Sequence, residues 1–176
     1  MAEVGILFVC TGNICRSPTA EGVARKRLID AGLDARVAVD SAGLDRWHVG
    51  DPPDPRAIQT ARRRGYDLSA QRARQFGRAD FDNFALIVGM DRGHVAQLRA
   101  RRPPGAAGKV GGAAGKVGGA AGEVRLFLEF LAADDPDFGD DVPDPYYGGM
   151  ADYELSLDLI ERGLPGLIET LIRDFL

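Results

Sequence analysis

Cysteine and histidine are scarce in this sequence. Its 176 residues include two cysteines, Cys10 and Cys15, and two histidines, His48 and His94. Two cysteines are too few for a disulfide-stabilised scaffold, and they suit a reducing compartment. With so few thiol and imidazole ligands we expect no structural zinc site.

Long apolar runs and a strong excess of one charge are also absent. The apolar run near the N-terminus is far shorter than the ~20 residues that a membrane span needs. Neither a basic stretch nor a small-residue cleavage site accompanies it, so we expect a cytoplasmic protein with no membrane partner. The net charge of −4 gives no general reason to expect a nucleic-acid partner.

The overall composition is that of a globular protein, with 45% hydrophobic and 27% charged residues. A chain of 176 residues fits one ordinary domain. We therefore predict a single domain over residues 1–176, present as a monomer or a weak homo-oligomer.

Short apolar runs alternate along the chain with segments of helical character. The candidate strands are Val4 to Val9, Val37 to Ser41, Phe84 to Met90 and Val124 to Leu128. The candidate helices are Thr19 to Ala31, Pro55 to Arg64, Gly93 to Arg101 and Tyr153 to Phe175. This alternation predicts an α/β fold in which helices cover both faces of a parallel sheet. Ligands of such sheets bind at the carboxyl ends of the strands, where Cys10 lies.

A Gly/Ala repeat of seven-residue period occupies about residues 105–123. It has one valine per unit and no hydrophobic face to stack, so we interpret it as an insertion rather than a solenoid. A nucleotide-binding Gly-Lys loop is the alternative. The repeat does not match that motif. Pro103 and Val110, rather than glycine, lie five residues before Gly108 and Gly115, and valine rather than serine or threonine follows both Lys109 and Lys116.

The segment CTGNICRSP, from Cys10 to Pro18, joins the first candidate strand to the first candidate helix. Backbone N–H groups from Thr11 to Arg16 can converge on one point there and form a nest for a tetrahedral oxyanion. Gly12 permits close approach of the backbone, and Asn13 tolerates a left-handed conformation. Pro18 suits the first position of the helix.

A thiol at the centre of that nest is a candidate nucleophile. A thiol attacks as the thiolate, which a helix N-terminus and an arginine both favour, and Arg16 can also fork onto two phosphate oxygens. Ser17 is placed either to cap the helix or to donate a hydrogen bond to the sulfur of Cys10. The alternative is that Cys10 is only a small buried hydrophobic residue.

The segment VPDPYYGG, from Val142 to Gly149, contains a candidate acid. A phosphate ester needs its leaving oxygen protonated, and Asp144 is held between two prolines. The residues alone leave Asp140 and Asp141 open as alternatives. Tyr146 and Tyr147 can form an aromatic wall for a substrate ring, or simply pack.

Together these motifs resemble the low-molecular-weight protein tyrosine phosphatases. CTGNICRSP resembles the family's phosphate loop and DPYYGG its general-acid loop. Four shorter motifs recur between them in order, namely DSAG at 40–43, WHVG at 47–50, DPRA at 54–57 and ARQ at 73–75. The resemblance covers the whole chain outside the repeat. It implies a four-stranded parallel sheet, a phosphotyrosine-containing protein as substrate, and catalysis without a metal or another cofactor.

The resemblance also implies roles for individual residues. Cys10 attacks phosphorus, Arg16 and the loop bind the phosphate, and Asp144 acts first as acid and then as base. The implied phosphate loop includes Thr11, Gly12, Asn13, Ile14, Cys15 and Ser17. Asn13 and Ser41 would brace it, and Ser17 would stabilise the thiolate. Trp47, Tyr146 and Tyr147 would line the ring slot, and Cys15 would form a reversible disulfide with Cys10.

The sequence departs from the family in having Gln71 where many members have histidine, and in the repeat. Three rival functions remain. Related arsenate reductases need further cysteines, which this chain lacks. Phosphoarginine phosphatases carry threonine in place of Ile14, whose apolar side chain favours an aromatic ester. A phosphotyrosine-binding module without turnover would not need Cys10, Arg16 and Asp144 together.

Overall fold

The computed structural model describes residues 2–104 and 122–176. Four parallel strands form one sheet in the order β2-β1-β3-β4. These strands are β1 (Val4–Cys10), β2 (Val37–Gly43), β3 (Leu86–Gly89) and β4 (Glu123–Leu126). The predicted four-stranded parallel α/β fold is confirmed. Most of the predicted repeat insertion at 105–123 lies outside the described residues.

In the part of the chain that the structure describes, five helices accompany the sheet: α1 (Arg16–Asp30), α2 (Pro55–Arg63), α3 (Asp80–Asn83), α4 (Arg92–Arg101) and α5 (Met150–Asp174). A 3₁₀ turn over Phe127–Phe130 follows β4 directly. Sequence patterning predicts the four strands and helices α1, α2, α4 and α5 within a few residues of these bounds. It does not predict α3, and it extends the fourth strand through Leu128. That extension is wrong, because Phe127 and Leu128 belong to the 3₁₀ turn.

The sheet is buried on both faces because successive residues of β1 point to opposite sides. Ile6 and Phe8 pack into the cluster covered by α1, α2 and α5, whereas Leu7 and Val9 pack into the cluster that contains residues of α3 and α4. Every residue of β1 is buried. This explains why the strand is a continuous apolar run, and it places the end of β1 at the centre of the sheet edge.

Within the described ranges, no helix combines the length and the apolar character needed to cross a lipid bilayer.

The packing of α5 against the 3₁₀ turn depends on a glycine. A Cβ atom added at Gly166 would overlap the backbone carbonyl oxygen of Phe130, which cannot move aside as a flexible side chain can. We predict that Gly166→Ala lowers the free energy of unfolding. Overpacking costs roughly 1–3 kcal/mol, of which alanine's better helix propensity offsets up to ~1 kcal/mol.

Urea denaturation of the wild type, Gly166→Ala and Gly77→Ala measures this effect. Gly77 is the control, because a Cβ atom there would meet nothing within 4 Å. Equal midpoints for the two alanine variants would show that α5 shifts freely relative to the turn.

Candidate active site

The loop between β1 and α1 is the centre of the site. Asn13 has a φ of +58°, and among the described residues other than glycine no further positive φ occurs. Helix α1 begins at Arg16, three residues earlier than predicted. Pro18 is therefore the third helical residue and not the first, which corrects the prediction made for it. Its missing N–H is still one of the first four, which have no acceptor within the helix.

The side chain of Asn13 braces this loop from inside. Its Nδ2 donates to Ser17 Oγ and to Ser41 Oγ, both at 2.9 Å, and its Oδ1 accepts from the backbone N of Arg74 at 2.9 Å. Both N–H bonds of the amide are thus used. The structure brings Asn13 and Ser41 together, as the resemblance implies, and adds Arg74 of the ARQ motif as a third partner.

The sulfur of Cys10 contacts this network. Cys10 is 4% exposed, and its Sγ lies 2.9 Å from Ser17 Oγ. Because Ser17 Oγ already accepts from Asn13, its own proton is available to the sulfur; the carbonyl of Ala42, at 3.5 Å, is more distant. Helix α1 has Cys15 as its N-cap residue and no side-chain cap. Of the two roles considered for Ser17, the structure therefore supports the contact with Cys10.

Glu21 is the last member of this hydrogen-bond network, beyond Ser41. Ser41 Oγ donates to Glu21 Oε2 at 2.6 Å, and Arg25 Nε donates to Glu21 Oε1 at 2.9 Å. Burial raises the pKa of this carboxyl, and its bonds to Ser41 and Arg25 oppose that shift. Sequence reasoning missed Glu21. A lone acid among the small and apolar residues that surround it in α1 is the signal that would have pointed to it.

The guanidinium of Arg16 is buried beside the loop. Its NH1 donates to Asp91 Oδ2 at 2.9 Å and to the carbonyl of Val142 at 3.0 Å. Its NH2 lies 3.3 Å from Asp144 Oδ2. A buried cation is costly unless it is paired and hydrogen-bonded, and two carboxylates and a carbonyl meet that need here.

Asp91 and His94 form the second feature that sequence reasoning missed. Asp91 caps α4 by accepting from the backbone N of His94 at 2.7 Å, and its own backbone N donates to His94 Nδ1 at 3.2 Å. A backbone N–H only donates, so Nδ1 is the unprotonated nitrogen, and Nε2–H donates to Thr11 Oγ1 at 2.9 Å. Burial lowers the pKa of His94 to about 4, which keeps the ring neutral.

The general-acid candidates separate in space. Asp144 lies at Arg16, is 46% exposed, and accepts from the backbone N of Tyr146 at 3.2 Å. Asp140 and Asp141 are directed to Arg92 instead, with contacts of 2.8 Å to its side chain and backbone respectively. Only Asp144 of these three lines the cleft.

A cleft of about 360 Å³ opens above Cys10. Its floor includes Ile14, Cys15 and Arg16, and its rim includes Trp47, Tyr146 and Tyr147. Trp47 is 83% and Tyr147 94% exposed, and the two tyrosine rings meet edge to face at 4.9 Å. The cleft therefore has a polar, cationic floor and an aromatic rim.

Close approach of a neighbouring loop closes one side of the cleft. The backbone N of Leu44 donates to the carbonyl of Cys10, and that of Asp45 to the carbonyl of Thr11, both at 2.9 Å. Gly43 permits this approach, since a Cβ atom there would lie 2.9 Å from the Thr11 carbonyl oxygen. The DSAG motif thus supplies both a brace, Ser41, and the glycine that lets the two loops meet.

Within residues 2–104 and 122–176, no three His, Cys, Asp or Glu side chains are grouped so that they could hold a metal ion. The positive charge at the floor comes from the guanidinium of Arg16 and from the partial charge at the amino-terminal end of α1.

Comparison with known proteins agrees with this geometry. The family model described as low molecular weight phosphotyrosine protein phosphatase matches residues 5–175. The low molecular weight protein-tyrosine-phosphatase of Streptomyces coelicolor is 42% identical, over 93% of this chain and 90% of its own. The low molecular weight protein-tyrosine phosphatase A of Mycobacterium tuberculosis is 40% identical, over 92% and 88%. A protein tyrosine phosphatase crystal structure from Entamoeba histolytica superposes with a TM-score of 0.83, at 31% identity, covering 98% of this chain and 99% of that one.

The chain belongs to the low molecular weight phosphotyrosine protein phosphatase family. The predicted family and enzyme class, a phosphatase within the hydrolases, are confirmed.

Cys15 of this phosphatase has a different environment from Cys10. Its Sγ lies 3.3 Å from the hydroxyl of Tyr153, and the side chain is buried. Burial raises the pKa of the Cys15 thiol to about 12, although the contact with Tyr153 opposes the shift. Cys15 is therefore a thiol at neutral pH.

Gln71 takes the place at which many phosphatases of this family have histidine. Its Nε2 donates to the carbonyl of Pro18 at 3.0 Å. The amide thus supplies one donor to the first turn of α1. Its Oε1 is buried without a partner, which is a cost of this substitution.

The neutral His94 of this phosphatase has a consequence for stability. Its pKa is lowered in the folded state from an ordinary 6.5 to about 4. As the pH falls below 6.5 the unfolded chain takes up a proton at His94 that the folded chain refuses. Stability is therefore lost between pH 6.5 and 4, by at most about 3 kcal/mol from this residue.

We predict that His94→Gln has a shallower fall of unfolding free energy between pH 7 and pH 4.5 than the wild type. Urea titrations at several pH values measure it, with His48→Gln at the half-buried second histidine as control. Parallel curves for the wild type and His94→Gln would contradict a neutral, buried His94.

Proposed function

We propose that this phosphatase hydrolyses phosphotyrosine in proteins through a cysteinyl-phosphate, without a metal. One observation carries the proposal: the Cys10 sulfur, the Arg16 guanidinium and the Asp144 carboxylate all line one cleft at the carboxyl end of β1. A nucleophile, an oxyanion partner and an acid are the three groups that the reaction needs.

In the first step the Cys10 thiolate attacks phosphorus opposite the phenolic oxygen. The S–P bond forms as the P–O bond to the phenol breaks, and Asp144 gives its proton to the departing oxygen. Ser17 stabilises the thiolate beforehand through its 2.9 Å contact with the sulfur. The products of this step are free tyrosine side chain and phosphocysteine.

In the second step the Asp144 carboxylate takes a proton from water as the water oxygen attacks phosphorus. The S–P bond breaks, inorganic phosphate leaves and the thiolate returns. Throughout both steps Arg16 and the loop amides from Thr11 to Ser17 bind the equatorial oxygens. This preorganised positive field, held out of water, stabilises the transition-state charge.

The depth and lining of the cleft support phosphotyrosine over other phosphoesters. Cys10 lies at the floor and is nearly buried, whereas Trp47 and Tyr147 stand at an exposed rim, so a long side chain reaches the sulfur. The aromatic rim offers edge and face contacts to a phenyl ring. Ile14 on the floor favours an aryl ester over the charged guanidinium of phosphoarginine.

We further propose that the protein acts in the cytoplasm, as one domain over residues 1–176 and as a monomer or weak homo-oligomer. Catalysis requires Cys10 as a free thiol, and both described cysteines are free. Thiols are kept in that state in the cytoplasm.

The test of the function is hydrolysis of phosphotyrosine and phosphoarginine side by side, with chelator, at mildly acidic pH. We predict phosphotyrosine turnover by the wild type and none by Cys10→Ser. Asp144→Ala should lose roughly 10²–10⁴-fold in turnover, the usual contribution of a positioned acid.

Asp141→Ala is the matched control for Asp144→Ala, since it removes a neighbouring carboxylate that binds Arg92 rather than Arg16. Its turnover should stay near that of the wild type. Preferential turnover of phosphoarginine would move the assignment to a protein-arginine phosphatase. A folded wild type without turnover of either substrate would indicate a phosphotyrosine-binding module.

We also propose that Cys10 and Cys15 form a reversible disulfide under peroxide. Peroxide oxidises the Cys10 thiolate to a sulfenic acid, and the Cys15 thiolate attacks that sulfur, releasing hydroxide and closing the S–S bond. Because the pKa of Cys15 is raised to about 12, its thiolate is scarce at neutral pH. The thiolate fraction, and with it the rate of closure, should rise about tenfold per pH unit.

Stopped peroxide treatment followed by dithiothreitol measures this protection. We predict that recovered activity increases between pH 6 and pH 8 in the wild type. Cys15→Ser should lose the recovery at every pH. Equal recovery in Cys15→Ser and the wild type would show that Cys15 does not protect the nucleophile.

A further inference from the structure

The DPRA motif at 54–57 has no part in the chemistry described above, yet it lies between the two catalytic loops. We propose that the ion pair of Asp54 and Arg56 is a positioning element that holds the acid loop, residues 142–149, in register with the phosphate loop. The inference rests on the proposed role of Asp144 as general acid.

The side chain of Arg56 donates hydrogen bonds to the backbone of the acid loop. Its NH1 donates to the carbonyl of Gly148 at 3.0 Å, and its NH2 donates to the carbonyl of Tyr146 at 3.1 Å. These carbonyls lie two and four residues beyond Asp144. Its guanidinium carbon also stands 5.9 Å from the centre of the Tyr146 ring. One side chain therefore fixes the segment that follows the acid.

Asp54 holds Arg56 in the orientation that these contacts need. Arg56 Nε donates to Asp54 Oδ1 at 3.0 Å, and NH2 donates to Oδ2 at 2.8 Å, a two-pronged pair. Asp54 also caps α2 by accepting from the backbone N of Arg56 at 2.8 Å. The Asp54 side chain is 9% exposed, and its hydrogen bonds with Arg56 lower the pKa of the carboxyl.

The same aspartate is tied to the phosphate loop. The backbone N of Asp54 donates to the carbonyl of Ile14 at 2.7 Å. A second link runs through Tyr153, whose ring centre lies 4.7 Å from the Arg56 guanidinium carbon and whose hydroxyl lies 3.3 Å from Cys15 Sγ. The phosphate loop, Asp54, Arg56 and the acid loop thus form one continuous series of contacts.

Asp144 needs such support because its side chain is 46% exposed and its charged partner Arg16, at 3.3 Å, must also bind phosphate. Its carboxylate also accepts from the backbone N of Tyr146 at 3.2 Å, and Arg56 holds the carbonyl of that same residue. The amino-terminal part of the acid loop is held by Val142, whose backbone N donates to Met90 and whose carbonyl accepts from Arg16. Arg56 secures the other end. A catalytic group displaced by 1 Å can lose about 10²-fold in rate, so this second anchor matters.

The readout that separates positioning of an acid from a merely structural role is the dependence on the leaving group. Protonation matters most when the departing phenol is a weak acid and least when it is a strong one. We expect Arg56→Gln to lower kcat/KM roughly tenfold for phosphotyrosine and less than about twofold for 2,4-dinitrophenyl phosphate. For Arg56→Gln, a plot of the logarithm of kcat/KM against the pKa of the leaving phenol is then steeper than for the wild type.

Arg56→Lys is the second variant. It keeps the charge but cannot hold Asp54 two-pronged while donating to both carbonyls, and we expect an intermediate loss with the same leaving-group trend. Arg62→Gln is the matched control, because it removes an arginine from the same helix that lines a separate pocket. It should leave the leaving-group plot unchanged.

A double-variant comparison completes the test. If Arg56 acts through Asp144, then Arg56→Gln has no further effect on kcat/KM in an Asp144→Ala background. Additive losses in that background overturn the proposal, as does an equal loss of kcat/KM for every leaving group. If Asp144→Ala itself leaves the plot unchanged, the general-acid role of Asp144 fails, which is a failure of the proposed function and a different result.

Discussion

The burial of one positive charge, the guanidinium of Arg16, organises the site. Removing it from water costs several kcal/mol unless anions and acceptors replace the solvent. Its replacements come from the turn after β3, through Asp91, and from the acid loop, through Val142 and Asp144. Arg16, which we propose to bind phosphate, therefore also draws together three segments that are far apart in the sequence. In this proposal folding and ligand binding depend on the same charge.

The two aspartates at Arg16 differ in a way that suits different tasks. Asp91 caps α4 and is bound to His94, so it stays in place when a ligand arrives. Asp144 is 46% exposed and lies at the longer distance of 3.3 Å. In the proposed reaction a phosphate dianion at Arg16 competes with Asp144 for the guanidinium. Asp144 is therefore the partner of Arg16 that the substrate can displace, whereas Asp91 keeps its place.

The sequence predicts those site residues that are neighbours along the chain. It misses site residues that meet only because of the topology of the fold. Residues 10–18 are contiguous in the sequence, so the roles of Cys10 and Arg16 can be proposed from local chemistry and resemblance. Sequence reasoning singles out neither Asp91 nor Glu21, and it includes Arg56 only as part of the DPRA motif. Their partners lie 75, 20 and 92 residues away, and only the strand order β2-β1-β3-β4 decides that they meet. The predicted fourth strand is too long because its apolar run continues into the 3₁₀ turn at Phe127–Phe130.

The charged side chains that brace the phosphate loop are paired with opposite charges, and this limits their contribution to the electrostatic field in the cleft. Glu21 is paired with Arg25, Arg74 with Asp40 and Asp80, and Asp54 with Arg56, while His94 is neutral. Glu21 with Arg25 and Asp54 with Arg56 are balanced pairs, whereas Arg74 with Asp40 and Asp80 has one surplus negative charge. The positive field at the floor of the cleft therefore comes from Arg16 and the loop amides and not from the braces. Loss of a brace changes the geometry of the site, while loss of Arg16 removes the full positive charge at its floor.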